Sequence, residues 1–186
     1  MHSVGGLIVR SALPLLTEYH SRMYTFLSFS SPHLGYLYSP NSLFKAGLWA
    51  VKKLKKSKCL EQLSMTDSAD PGSCYLARLA EIPGLEHFQH VVLVSSQQDN
   101  YAPFPSARIE MSRAAEADPE LGPGCAKMLR NLLAPVEAKR VIRIDVNFDI
   151  PETTVDSVIG RFAHIQFIEC QPLMCTVVHT HGFLFE

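Results

Sequence analysis

The sequence has no long apolar run, no excess of charge of either sign and no cysteine framework. Its 186 residues include 17 lysines and arginines against 18 aspartates and glutamates, a net charge of -1, so composition gives no general attraction to nucleic acid. Five cysteines, an odd number, suit a reducing compartment better than a disulfide scaffold. No apolar run reaches the length of a membrane span. We therefore expect a cytoplasmic protein with no nucleic-acid partner and no transmembrane span.

A secretory signal is not expected either, because Arg10 interrupts the apolar stretch 4–16 and no charged segment precedes it. What the composition does contain is typical of a globular protein. It is 47% hydrophobic and 19% charged, and the chain is long enough for one domain with a sizeable core.

Strand and helix patterns alternate along the chain. The runs 24–29 and 141–146 are rich in β-branched and aromatic residues, and 91–94 is continuously apolar, so we predict three strands, the middle one buried on both faces. Helical patterns predict helices over 4–13, 43–56, 75–81, 106–116 and 125–133. This alternation with long crossovers predicts an α/β fold with a mostly parallel sheet covered by helices.

Lysines crowd the end of the second predicted helix, within residues 43–58. Cations near a helix C-terminus interact favourably with the helix dipole, so a solvated, well-terminated helix is the simpler interpretation. The other interpretation is a lid that makes weak contact with an anionic membrane surface.

The first residues carry part of a catalytic motif. His2-Ser3-Val4-Gly5 matches the right-hand part of Gly-x-Ser-x-Gly, with Met1 at the position of the first glycine. In that motif a strand ends, the chain turns sharply and a helix begins, which exposes the serine hydroxyl. Ser3 is therefore a candidate nucleophile.

Two further residues complete a Ser, acid, His order along the chain. Asp99 follows the predicted strand 91–94, and His164 follows the predicted strand 141–146. Loops at the carboxyl ends of parallel strands are where such sheets place their sites. A serine needs a histidine to take its proton and a carboxylate to orient that histidine, so the three form a candidate triad.

Other interpretations of these residues stay open. Asp99 could instead cap the following turn, and His164 could be a packed core histidine. Asp145 and Asp149 are rival acids, but the first lies inside a predicted strand and the second follows the last one. His33 is a rival base, but it precedes Asp99 in the chain and so breaks the order Ser, acid, His. We interpret it as a loop residue beside the site.

Four stretches together resemble the serine esterase group of lipase-like α/β-hydrolases, and within it the C-terminal domain of the "family with sequence similarity one-three-five" proteins. They are His-Ser-Val-Gly-Gly-Leu-Ile-Val-Arg-Ser, Thr-Phe-Leu-Ser-Phe-Ser-Ser-Pro-His-Leu-Gly, Val-Val-Leu-Val-Ser-Ser-Gln-Gln-Asp and Asp-Ser-Val-Ile-Gly-Arg-Phe-Ala-His. The resemblance covers residues 1 to about 168 and implies an α/β-hydrolase fold, hydrolysis of carboxylic or lipid esters in lipid metabolism, and no cofactor. It also implies that Ser3 is the nucleophile, Asp99 the acid and His164 the base.

The same resemblance assigns the surroundings of the triad. The Val4 N–H, which follows the nucleophile, would donate to the oxyanion. His33 and Leu34 would contact the small-molecule or lipid ester substrate. Residues of about 36–88 would form a helical cap over the acyl pocket, and 169–186 would be a divergent tail.

The chain departs from the family by lacking the first glycine of the motif and everything upstream of it. We expect an N-terminally truncated product, with Met1 and His2 as a terminus that frays and with weak or no activity. The alternative function is therefore a catalytically incompetent fragment or a protein-interaction module.

A zinc site is a weaker alternative, since its ligands lack the usual longer intervening loop, and we expect no metal. Its four ligands would be Cys170, Cys175, His179 and His181.

Overall fold

The computed structural model describes residues 1–38, 57–149 and 156–185. Their strands are β1 (Thr25–Phe29), β2 (His90–Ser95) and β3 (Val141–Asp145). Their helices are α1 (Gly5–Ala12), α2 (Lys58–Leu63), α3 (Tyr75–Glu81), α4 (Phe104–Arg108), α5 (Arg113–Glu116), α6 (Gly122–Leu133), α7 (Asp156–Glu169) and α8 (Gln171–Thr180). Short 3-10 turns follow α1 at Leu13–Leu15 and Thr17–Arg22 and recur at Pro71–Ser73, Leu85–His87, Ala138–Arg140 and Gly182–Leu184. The predicted basic helix over 43–56 lies outside the described residues.

The three strands form one parallel sheet with β2 in the middle. Phe26 of β1 pairs with Val91, and Val92 of β2 pairs with Ile142 of β3. Parallel neighbours need long crossover connections, and here helices supply them. The predicted α/β class with a parallel sheet is confirmed.

Strand β2 separates two apolar cores. Val91 and Leu93 point into a core shared with Phe26, whereas Val92 and Val94 point into a second core on the opposite face. All four β2 side chains are 0% exposed, which confirms the predicted burial on both faces. Successive side chains of a strand alternate between the faces of the sheet, so a continuous apolar run serves both cores.

The first residues pair with β1 instead of fraying. His2 forms a parallel bridge with Phe29. The Met1 ammonium group donates to the Leu27 carbonyl at 2.9 Å, and the Phe29 N–H donates to the Met1 carbonyl at 2.8 Å. The expected free terminus is therefore wrong, because backbone hydrogen bonds hold these residues along the edge of β1.

One predicted helix differs from the structure. The helix predicted over 106–116 is two helices, α4 and α5, because Ile109 between them adopts a left-handed φ of 52°. By contrast, α3 begins and ends at the predicted residues. Residues 169–186, predicted as a divergent tail, contain α8, whose Leu173 and Val177 side chains pack into the second core.

Candidate active site

Ser3 lies at a strand-to-helix turn of the kind that the motif predicts. The residue before it pairs with β1, and α1 begins two residues later at Gly5. Ser3 itself has a φ of 54°, a left-handed conformation that costs a non-glycine residue about 1–2 kcal/mol. Its N–H donates to the Phe29 carbonyl at 3.1 Å, so the adjoining strand holds the turn in this conformation.

Gly6 lets α1 pack closely behind the turn. A Cβ atom at this position would lie 2.5 Å from Ser31 Oγ and 3.0 Å from His33 Cε1, distances that an alanine could not occupy without a shift. The second glycine of the Gly-Gly pair therefore positions the helix, a role that the motif alone did not reveal.

Asp99 lies in the loop that follows β2 and is only 4% exposed. Its Oδ1 atom accepts hydrogen bonds from the N–H groups of Tyr101 at 2.7 Å and Ala102 at 3.2 Å. Its Oδ2 atom accepts from His164 Nδ1 at 2.6 Å and from the Ser30 hydroxyl. Asp99 thus caps its turn and orients His164, so the two interpretations open at the sequence level apply together.

His164 lies inside α7, not in a loop as expected. Its ring lies between the ring of His2, with centroids 4.5 Å apart, and the ring of Tyr101, at 5.3 Å and 22° from parallel. His2 Nε2 donates to the His164 carbonyl at 2.9 Å. Burial, and next the nearby His164, lower the pKa of His2. Because Nδ1 of His164 is bound to Asp99, Nε2 is the ring nitrogen that remains for proton transfer.

Close packing brings α7 onto the Asp99 loop. A Cβ atom at Gly160 would lie 2.3 Å from Asn100 Nδ2 and 2.4 Å from Asn100 Cβ. Since Gly160 is one helical turn before His164, this approach sets how near the imidazole comes to Asp99. Sequence reasoning missed this contact, as it missed His2 and Tyr101.

The structure brings two members of the predicted triad, Asp99 and His164, into contact, whereas the third, Ser3, is hydrogen-bonded to neither of them in the part of the chain that the structure describes. Within the described residues, the Ser3 hydroxyl makes no hydrogen bond to the His164 ring, although the preceding residue, His2, contacts that ring. The Val4 N–H, within the same part of the chain, donates no hydrogen bond, a condition that an oxyanion donor must meet. The roles of Ser3 and Val4 stay predictions.

The two residues predicted to contact substrate lie in the interior. His33 is 0% exposed and its Nε2 lies 3.0 Å from Ser28 Oγ. Burial, followed by the charge of Arg10, holds the pKa of His33 well below its usual range. Leu34 packs into the core beneath α1. Substrate contact by either residue stays a prediction that this placement does not support.

The rival acid and the candidate zinc ligands do not contribute to this site. The rival acid Asp145 forms an ion pair with Arg108. Across residues 1–38, 57–149 and 156–185 no group of three or more His, Cys, Asp or Glu residues is arranged to hold a metal ion, so the zinc alternative is wrong. In the same ranges, no helix combines the length and apolar character needed to cross a membrane.

Asp99 and His164 thus form a hydrogen-bonded carboxylate–imidazole pair. Comparison with known proteins adds a family to this geometry. The model of the family described as "Putative serine esterase" matches residues 1–113, a stretch that contains Ser3 and Asp99 and ends before His164. No solved structure gives a significant match to the chain.

Proposed function

Because the chain belongs to this serine esterase family, we propose that it hydrolyses carboxylic esters, including lipid esters, with Ser3, His164 and Asp99 as its triad. The observation that carries the proposal is the 2.6 Å hydrogen bond between His164 Nδ1 and the buried Asp99 carboxylate. This bond selects the tautomer in which Nε2 is free to accept a proton.

In this mechanism His164 Nε2 takes the hydroxyl proton of Ser3 while the serine oxygen attacks the ester carbonyl carbon. The Val4 N–H donates to the oxyanion that forms, and Asp99 stabilises the resulting imidazolium. His164 then returns its proton to the leaving alcohol. Water, activated by the same histidine, hydrolyses the acyl-Ser3 ester and restores the serine.

Two parts of this proposal concern the rest of the chain. Residues 1–168 form the hydrolase unit, and the segment of about 36–88 covers the acyl side of the site. Among the described residues of that segment, Leu63 of α2 and Leu76 of α3 pack in the same core as Leu7 of α1, which supports this part of the proposal.

The test is covalent labelling and turnover with the purified 186-residue chain. We expect a fluorophosphonate probe to modify Ser3, mapped by peptide mass spectrometry, and Ser3→Ala to abolish both labelling and hydrolysis of p-nitrophenyl butyrate. Asp99→Asn should lower kcat by about 10⁴-fold, as loss of the carboxylate does in comparable triads. Ser21→Ala, at an exposed serine, is the matched control and should leave both signals unchanged. Labelling at another residue, or turnover that survives Ser3→Ala, would contradict the proposal.

A further inference from the structure

Ser30 is a buried residue whose backbone conformation is unfavourable for its side chain. It directly follows β1, is 1% exposed and has a φ of 45°. In this left-handed conformation a Cβ atom lies too close to the neighbouring backbone, so glycine is the residue that such a position favours. The backbone at Ser30 is therefore strained, and strain of this kind clusters at functional sites.

The surrounding structure holds the strained residue in place from two sides. The Ser30 N–H donates to the Val94 carbonyl of β2 at 2.8 Å. Three residues later, the His33 carbonyl accepts a hydrogen bond from the buried Arg10 guanidinium of α1 at 3.3 Å. Because β2 and α1 both anchor this loop, its backbone keeps a conformation that the local sequence alone would not favour.

The side chain of Ser30 reaches the carboxylate of the candidate site. Its hydroxyl donates to Asp99 Oδ2, the same oxygen that accepts from His164 Nδ1 at 2.6 Å. The other oxygen, Oδ1, accepts from the N–H groups of Tyr101 and Ala102. Rotation of a carboxylate about its Cβ–Cγ bond is a soft torsion. The Ser30 hydroxyl, held by an anchored backbone, therefore fixes where Oδ2 lies and how the imidazole is oriented.

We propose that Ser30 is a positioning residue of the active site, which fixes the Asp99 carboxylate so that it holds the His164 imidazole in the orientation needed for proton transfer. The inference rests on the proposed function, in which His164 is the base. Ser30 acts through Asp99 and not on the substrate. Glycine would relieve the strain at this position but would also remove the hydroxyl, so stability and activity place opposite demands on it.

Two substitutions of Ser30 separate these demands. Ser30→Gly relieves the strain and removes the hydroxyl, whereas Ser30→Thr keeps the hydroxyl and adds a β-branch that a left-handed conformation tolerates poorly. We expect Ser30→Gly to have the higher melting temperature of the two variants. Its kcat for p-nitrophenyl butyrate should nevertheless fall about tenfold at unchanged KM, less than the roughly 10²-fold that a 1 Å misplacement can cost.

Ser30→Thr should keep most of the wild-type kcat in spite of its lower melting temperature. If kcat instead follows the melting temperature, so that Ser30→Gly is the more active variant, Ser30 has only a structural role and the proposal is overturned.

Ser28→Ala is the matched control for loss of a buried hydroxyl. Ser28 is also buried, but its hydroxyl lies 3.0 Å from His33 Nε2 and not beside Asp99. The substitution should lower the melting temperature, because a buried hydrogen bond is lost, and leave kcat unchanged. Equal losses of kcat in Ser28→Ala and Ser30→Gly would overturn the positioning role.

A spectroscopic test does not require turnover. The Nδ1 proton of His164, which is hydrogen-bonded to a carboxylate, should give a sharp downfield proton NMR resonance, assigned by its loss in His164→Gln. Ser30→Gly should broaden this resonance through faster exchange with water, while Ser28→Ala should leave it sharp. A resonance that is absent from the wild-type spectrum, or equally sharp in wild type and Ser30→Gly, would overturn the proposal.

Failure of this inference and failure of the proposed function give different results. A resonance that broadens in Ser30→Gly, together with turnover that survives Ser3→Ala, supports the role of Ser30 in holding Asp99 and His164 and overturns Ser3 as the nucleophile. Turnover that Ser3→Ala abolishes, together with a sharp resonance and full kcat in Ser30→Gly, supports the triad and overturns the role of Ser30.

Discussion

Asp99 accepts hydrogen bonds from four donors, two on each oxygen atom. Two come from backbone N–H groups of its own loop, one from Ser30 and one from His164. A carboxylate is the side chain that suits this site, because all four partners donate and an asparagine would turn an NH₂ group toward two of them. Turn capping and histidine orientation are thus one structural requirement.

His2 positions His164 from the side of the Ser3 turn. Its ring lies against the imidazole at a tilt of 43°, with centroids 4.5 Å apart, and its Nε2 donates to the His164 carbonyl at 2.9 Å. We predict that His2→Ala lowers kcat by about three- to tenfold, the worth of one hydrogen bond, with little change in KM. His2→Gln, which keeps a donor, should recover part of the loss. The measurement is steady-state hydrolysis of p-nitrophenyl butyrate.

The control for this prediction is His179→Ala, at an exposed histidine on α8, which should leave kcat unchanged. Equal losses in His2→Ala and His2→Gln would show that the hydrogen bond to the carbonyl of His164 does not matter.

At the scale of elements, the position of α7 decides whether His164 reaches Asp99. The close approach at Gly160 leaves no room for a methyl group beside Asn100. We predict that Gly160→Ala displaces the helix and lowers kcat by about 10²-fold, as misplacement of a catalytic group by about 1 Å can do. The same variant should lower the melting temperature, because overpacking is destabilising.

Gly124→Ala is the matched control, since a Cβ atom at Gly124 of α6 meets nothing within 4 Å. Replacing a helical glycine in open space should stabilise the protein by about 0.5–1 kcal/mol and leave kcat unchanged. If the two variants behave alike in thermal unfolding and in turnover, the contact at Gly160 does not position the helix.

The elements that the sequence predicted well are those with strong local signals. The apolar run 91–94 and the short helix at Tyr75–Glu81 carry their periodicity in themselves. The break at Ile109 has no such signal, because a left-handed conformation at a β-branched residue is rare and tertiary packing imposes it. His164 was expected in a loop because it follows the last predicted strand, whereas the structure places it inside α7.

In the candidate site, too, some residues could be predicted from the sequence and others could not. Chain order and strand ends were enough to select Asp99 and His164, which the structure joins at 2.6 Å. Ser30, Tyr101 and His2 surround the pair through tertiary contacts that no local pattern records. His33 shows the opposite failure, since a polar residue in a loop-like sequence lies in the interior.

For the molecule as a whole, the buried His33 couples folding to pH. Its pKa in the folded protein is held well below the usual value by burial and by Arg10, while the unfolded chain titrates near about 6.5. Above that pH the imidazole is neutral in both states. Below it the unfolded chain binds a proton that the folded protein does not, so the free energy of unfolding should fall by up to about 1.4 kcal/mol per pH unit.

Urea unfolding from about pH 5 to pH 8 measures this dependence. His33→Gln should flatten the decline below about pH 6.5, whereas His179→Gln, at an exposed position, should keep the wild-type slope. A slope that is the same in wild type and His33→Gln would assign the acid sensitivity to other groups.

The parallel pairing of the sheet also governs how the chain folds while it is being made. Phe26 of β1 cannot pair until Val91 has been synthesised, and β2 cannot pair with β3 until Val141 has been synthesised. At about 5–20 residues per second, synthesis leaves β1 without its sheet partner for roughly 3–13 s after it has been made. During that interval the edge of β1 that later pairs with β2 is open to other nascent chains. From the order of synthesis we therefore expect the yield of folded chain to rise when a chaperone shields β1 until β2 has emerged from the ribosome.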